Sequence, residues 1–300
     1  MKIWVNIIIL HALLTINAFG GQTSTAFTFT GRILFSHDKK IFILNGSINK
    51  KRYITIGRWP VWSPDGEEIA YICGNNLCII DSNGKDLREI THNEKKCFVL
   101  NPRWNGMRHI YFTHNCNNKE QEMTVDLKEN RIRKVPKFDY LHTLEELESI
   151  TIYPSPNGIY DLENLYYINK GLKTILINKI SHKIEDIKPV MTYPAWSKDS
   201  KKIANYYASG TDEGSATKFI DKLIIYHIKN HKIVKVLKNL RGYEQYTLWC
   251  HGTTWSPDSK YIAYECAPYT GESTDHWIYI VNLRTGKTIK FIQGSDPDWY

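Results

Sequence analysis

The side chains that could do chemistry are scattered along the chain. Its 300 residues include six cysteines and 11 histidines, with 31 acidic residues against 39 basic ones. Serine hydrolysis would need a G-x-S-x-G elbow, and zinc hydrolysis would need H-E-x-x-H on a helix. Neither string occurs, and there is no glycine-rich phosphate loop. Ser197 and Ser256 sit in turn-forming strings and read as structure. His227 and His231 are four apart but straddle a hairpin turn. Glu145, Glu146 and Glu148 read as a solvated short helix rather than an acid–base pair. Asp81 and Asn83 look like two oxygen ligands of a calcium loop, yet Asn83-Gly84 between two apolar runs is first a hairpin signal. No residue is therefore assigned to catalysis, and no metal or cofactor is expected.

The elements that must position any site are repeats. Pro60-Val61-Trp62-Ser63-Pro64-Asp65-Gly66 is followed by EEIAYIC, Pro194-Ala195-Trp196-Ser197-Lys198-Asp199-Ser200 by KKIANYY, and Thr253-Thr254-Trp255-Ser256-Pro257-Asp258-Ser259 by KYIAYEC. Weaker copies surround Trp104 and Tyr153, and Pro297-Asp298-Trp299-Tyr300 opens a sixth. The anchor aromatics at 62, 104, 153, 196, 255 and 299 lie 42 to 59 residues apart. That period matches one four-stranded propeller blade. The P-x-W segment predicts a short strand, because proline lacks a donor and marks strand starts. S-P-D-G predicts a tight turn, and I-A-Y a second, alternating strand. Third strands are expected at Leu77–Asp81, Leu223–Ile228 and Trp277–Leu283. Arg32–Ser36, Lys40–Leu44 and Arg52–Ile56 read as strands two to four of a blade lacking its first strand, which Asp296–Tyr300 supplies. The expected fold is all-β: a six-bladed propeller closed by that shared blade. Its composition, 42% hydrophobic and 13% aromatic, suits a strand-built core.

The P-x-W-S-P-D-G-x-x-I-A-Y repeat resembles the TolB-type, WD40-like propeller repeat. The resemblance implies an exported propeller with an envelope partner. The α/β domain that precedes the propeller in TolB is not expected here, nor the hydrolase domain of dipeptidyl-peptidase-type propellers. Met1–Gly20 reads as a signal peptide: Lys2, an apolar stretch over Ile3–Ile16, and Ala18-Phe19-Gly20 at a cleavage site. Residues 21–300 are then one propeller domain, periplasmic or secreted, with no span in the mature chain. The net charge of +8 is diffuse. With export it argues against nucleic acid and leaves only weak attraction to anionic polymers or headgroups.

Six cysteines allow fifteen connectivities. On the blade layout, Cys73 and Cys78 flank the turn between second and third strands. Cys97 with Cys116, and Cys250 with Cys266, each join the entry of a first strand to the end of a second. The pairing 73–78, 97–116 and 250–266 is expected, which fits an oxidising compartment. A metal site and free buried thiols are the rivals. Turns alternate between the two faces of the ring. One face carries short turns; the other carries the longer links Asn115–Glu120, Lys137–Glu148, Ala208–Asp221, Asn239–Gly252 and Ala267–Asp275. Long loops on a rigid scaffold are where function concentrates. The candidate binding residues are Arg241, Tyr243, Tyr246, Trp249 and His251, then Asp212 and Glu213, then Tyr269, Glu272, Asp275 and His276. Tyr, Trp and Arg suit a protein interface, and aromatics beside carboxylates suit a glycan. Two functions are expected: a non-enzymatic scaffold for an envelope or extracellular protein, or a propeller enzyme or glycan-binding protein with its site at the channel mouth. The second requires at least three of Asp212, Glu213, Glu272, Asp275, His276, His251 and Arg241 to converge.

Overall fold

Each S-x-D turn closes through one repeated set of hydrogen bonds. The Ser63 hydroxyl donates to Asp65 (2.6 Å) and accepts the Glu68 amide (2.9 Å), while Asp65 accepts the Glu67 amide (3.1 Å). Ser197 with Asp199, and Ser256 with Asp258, repeat it atom for atom. In the Tyr153 copy Asn157 stands in for the aspartate. These serines are buried, so their hydroxyls must be satisfied, and the turn's own amides do it. Burial alone would raise the Asp65, Asp199 and Asp258 carboxyls, but these bonds hold all three below their ordinary value.

The computed structural model describes residues 28–135, 147–167, 170–213, 216–238, 248–268 and 275–300; for 147–148, 207–213, 216–221, 248–249 and 268 only the backbone is described. Among these residues every regular element is a strand, and the strands form six four-stranded antiparallel sheets. Blade 1 holds β1 (Arg32–His37), β2 (Lys40–Asn45) and β3 (Lys50–Ile56). Blade 2 holds β4 (Arg58–Trp62), β5 (Glu68–Cys73), β6 (Asn76–Asp81) and β7 (Arg88–Glu89). Blade 3 holds β8 (Cys97–Asn105), β9 (His109–Cys116), β10 (Lys119–Asp126) and β11 (Arg131–Lys134). Blade 4 holds β12 (Leu147–Pro154), β13 (Tyr160–Tyr167), β14 (Gly171–Asn178) and β15 (Ile184–Ile187). Blade 5 holds β16 (Ala195–Trp196), β17 (Lys202–Glu213), β18 (Ala216–His227) and β19 (Lys232–Lys238). Blade 6 holds β20 (Leu248–Trp255), β21 (Tyr261–Pro268), β22 (Trp277–Asn282) and β23 (Thr288–Gln293). The last strand, β24 (Ser295–Trp299), pairs antiparallel with β1 as the first strand of blade 1 and closes the ring.

The core lies between blades, which explains the I-A-Y pattern. Ile262 and Tyr264 pack on blade 5, while Ala263 between them packs on blade 1. Ile69 and Tyr71 face blade 1, while Ala70 and Ile72 face blade 3. A strand buried on both faces can be apolar throughout, with alternate residues assigned to opposite neighbours. The anchor tryptophans add a polar tie. Trp104, Trp196 and Trp255 each donate an indole N–H to a carbonyl of the preceding blade, at Val61, Tyr153 and Ala195 (3.3, 2.9 and 3.0 Å).

First strands carry a recurrent β-bulge three residues before the anchor. Trp59, Asn101, Gly252 and Asp296 occupy it, all with left-handed backbone (φ 51°, 49°, 65° and 53°). Only glycine adopts this conformation without steric cost.

Three expectations are corrected. Asn115–Glu120 is a two-residue turn, with Asn117 and Asn118 at positive φ between β9 and β10. Ala208–Asp221 is mostly a strand pair: β17 and β18 stay in register from Lys202↔His227 to Glu213↔Ala216. Glu148 lies in β12 rather than a short helix, and Glu145 and Glu146 fall outside the described residues. The Asp81–Asp86 segment is the hairpin turn between β6 and β7, with the Gly84 amide donating to the Asp81 carbonyl (3.0 Å). All six cysteines pair as expected, 73–78, 97–116 and 250–266.

Candidate functional site

Blade 6 meets the closing strand near the end of β21, and there the repeat rule breaks. Glu265 follows the I-A-Y triplet, where blade 2 has Ile72 packed on its next neighbour. In blade 6 that position is a carboxylate only 1% exposed. A buried charge demands partners, and three elements supply them. His251 lies directly across from Glu265 in the β20–β21 register, one step from the Cys250↔Cys266 pair that the disulfide locks. Its Nε2 is 3.6 Å from Glu265 Oε1. His276, just ahead of β22, hydrogen-bonds through Nδ1 to the same oxygen. The other oxygen, Oε2, accepts the Asp296 amide at 2.7 Å.

Asp296 brings a second carboxylate. The left-handed bulge of β24 exposes its amide to Glu265, while its own Oδ2 accepts from the hydroxyls of Ser36 (2.6 Å) and Ser295 (3.0 Å). Burial, then the charge of Glu265, pushes the Asp296 carboxyl up to about 6, against the pull of the two serines. The His276 imidazole is shifted upward too, chiefly by its hydrogen bond to Glu265. Deeper in the same strand, burial raises Asp298, although it accepts the Trp62 amide (2.7 Å) and the Thr254 hydroxyl (3.2 Å). The Tyr193 ring stands 5.3 Å from that of His251. The two imidazoles are accessible, with side chains 28% and 37% exposed. The arrangement is thus two reachable imidazoles backed by two carboxylates. It can hold a cation, a hydrogen-bond donor or a proton.

Of the sequence-predicted residues, His251 and His276 are brought together. Asp275 lies near enough for its charge to favour protonated His276, while its Oδ1 accepts from the Trp277 indole (3.1 Å) and the Gln293 amide (2.9 Å). Asp212 and Glu213 lie near the tip of the β17–β18 hairpin, opposite Thr217 and Ala216. Trp249 pairs with Ala267 in β20–β21. Arg241, Tyr243, Tyr246, Tyr269 and Glu272 fall outside the described residues. Glu265, Asp296, Ser36 and Ser295 were missed. The signal for Glu265 was a charge in a position that another copy fills with isoleucine. For Asp296 it was the acid placed three residues before an anchor tryptophan. A metal-type grouping of Cys97, His114 and Cys116 is also present, but the two sulfurs are bonded to each other and offer no thiolate.

No protein-family model matches the chain, and no curated protein does. Solved structures do. TolB from Acinetobacter baumannii superposes with a TM-score of 0.65 at 17% identity, over 91% of this chain and 67% of that one. A protein of a nidogen/laminin complex gives 0.58 at 8% identity, over 89% and 97%. An oligogalacturonate lyase in complex with manganese gives 0.53 at 12% identity, over 85% and 70%. The chain therefore has a TolB-like propeller fold. At these identities the likeness extends to the fold alone.

Proposed function

We propose that this chain is an exported, non-enzymatic propeller that binds another envelope or extracellular protein through its long-loop face. The cluster of His251, Glu265, His276 and Asp296 lies at the centre of that contact. The observation that carries the reading is the buried Glu265 carboxylate, set where the repeat places an apolar residue and surrounded by accessible imidazoles. The acidic backing of the cluster suits a basic side chain of a partner inserted at the channel mouth. Three disulfides and the TolB-like fold support an oxidising compartment.

A second reading has one observation behind it. A carboxylate that orients an imidazole is the arrangement of a general base, and a lyase that binds manganese shares the fold. Of the seven residues required to converge, three have described side chains: His251 and His276 converge, and Asp275 is engaged with Trp277 and Gln293. The test is capture from envelope extracts by wild type and by a His251→Ala/His276→Ala variant, alongside an assay for cleavage of acidic oligosaccharides with and without manganese. One partner kept by wild type and lost by the variant, with no cleavage, is the expected result. Equal capture by both proteins, or cleavage abolished by the variant, overturns the reading.

A further inference from the structure

On the opposite, short-turn face, a groove of about 610 Å³ runs between blades 5 and 6. Lys202 and Lys235 line it from blade 5, and Lys260 and Arg284 from the two turns of blade 6; no carboxylate lines it. Lys260 leans toward Asp258 at 3.3 Å. Lys202, Lys235 and Arg284 have no carboxylate within ion-pair distance among the described residues. Lys202 and Lys235 are nevertheless half-buried. Asp199 lies within reach of the Lys202 charge and Asp258 faces Lys260, so four cations share two neighbouring carboxylates and the groove keeps a net positive charge. Its floor is different in kind: Trp255 and Tyr261, with Ile225 and Leu283, give it an apolar and aromatic base.

The volume falls in the range of small-molecule sites, about 300–1,000 Å³. Four cations around an apolar floor fit a multiply charged oxyanion attached to a less polar body. Arginine and lysine together suit phosphate, the first by its planar fork and the second as a point charge. We infer that this groove binds a phosphate or pyrophosphate ester. The site is separate from the long-loop cluster and does not depend on what that cluster binds.

The test is titration of the full chain with inorganic pyrophosphate by calorimetry, and flotation with phosphatidylcholine vesicles containing about 20% phosphatidylglycerol. Wild type is compared with Lys235→Glu/Arg284→Glu and with the charge-matched control Lys50→Glu/Lys128→Glu. Binding by wild type that weakens with salt, and is about tenfold or more weaker in the groove variant but not in the control, is expected. Response to pyrophosphate alone assigns a free phosphate ester, and response to vesicles alone assigns a lipid headgroup. If the groove variant melts early, Lys235→Gln/Arg284→Gln replaces it, with the same loss expected. Binding of neither probe, or equal loss in the control, overturns the inference.

Discussion

Near the end of β21, blade 6 meets blade 1 through two carboxylates and two imidazoles. On the short-turn face it meets blade 5 through three lysines and an arginine. The two regions use the repeat in opposite ways. The acidic cluster is built into strand positions: Glu265 replaces a buried apolar residue, and Asp296 takes a strained bulge conformation. The cationic groove draws largely on turns and edge positions, where the repeat constrains little beyond its Ser-x-Asp network. The first sets charge in a buried strand position; the second sets Lys260 and Arg284 in exposed turns and leaves Lys202 and Lys235 half-buried. Groups that burden a scaffold mark a function more firmly than groups the scaffold carries freely.

Removing the brace of the long-loop region should have the largest effect. Cys250→Ala/Cys266→Ala is expected to cost about 3 kcal/mol in urea unfolding, whereas Cys73→Ala/Cys78→Ala, which opens a far shorter loop, should cost about 1 kcal/mol less. Equal losses would show that loop length does not set what the 250–266 bond contributes. Next is the short-turn region: Ser256→Ala leaves the Asp258 carboxylate and the Tyr261 amide without their partner. A loss of about 1–2 kcal/mol is expected, with capture at the long-loop face unchanged. A change in capture would mean that the two faces are coupled.

The smallest effect tests the strain at Asp296. Its carboxyl titrates near 6 in the fold and near the ordinary aspartate value, about 3.9, in the unfolded chain. The folded state therefore holds more protons between these values, and stability falls as pH rises through that window. Asp296→Asn should stabilise the fold more at pH 8 than at pH 4, read as melting temperature against pH. His276, also shifted upward, adds to the same trend around and above neutrality. The reverse slope would remove the case for a strained carboxylate at the mouth.

Much of this architecture was legible because it is repeated. Serine and aspartate two apart are what the turn needs to satisfy its own amides, and the anchor tryptophan is what ties one blade to the next. Both mark the starts of blades 2, 5 and 6. The closing strand was legible for the same reason, since Trp299 is an anchor without the strands that should follow. Less was legible at the edges. Ser209-Gly210-Thr211 reads as loop composition, yet cross-strand pairing carries β17 and β18 well past the blade. Half of the site was visible as histidines on a long-loop face. Its carboxylates were not, because Glu265 belongs to a strand and strand positions read as packing. Comparing the copies with one another, IAYE against IAYI, would have exposed it.

The shared blade also fixes an order of events. Ser36 finds its partner Ser295 across 259 residues, so a chain that emerges from its N-terminal side first presents β1 with one edge unpaired. That edge is apolar at Ile33, Leu34 and Phe35, the kind of strand that pairs with whatever is available. Until β24 arrives, the nascent protein is an open arc with an adhesive end.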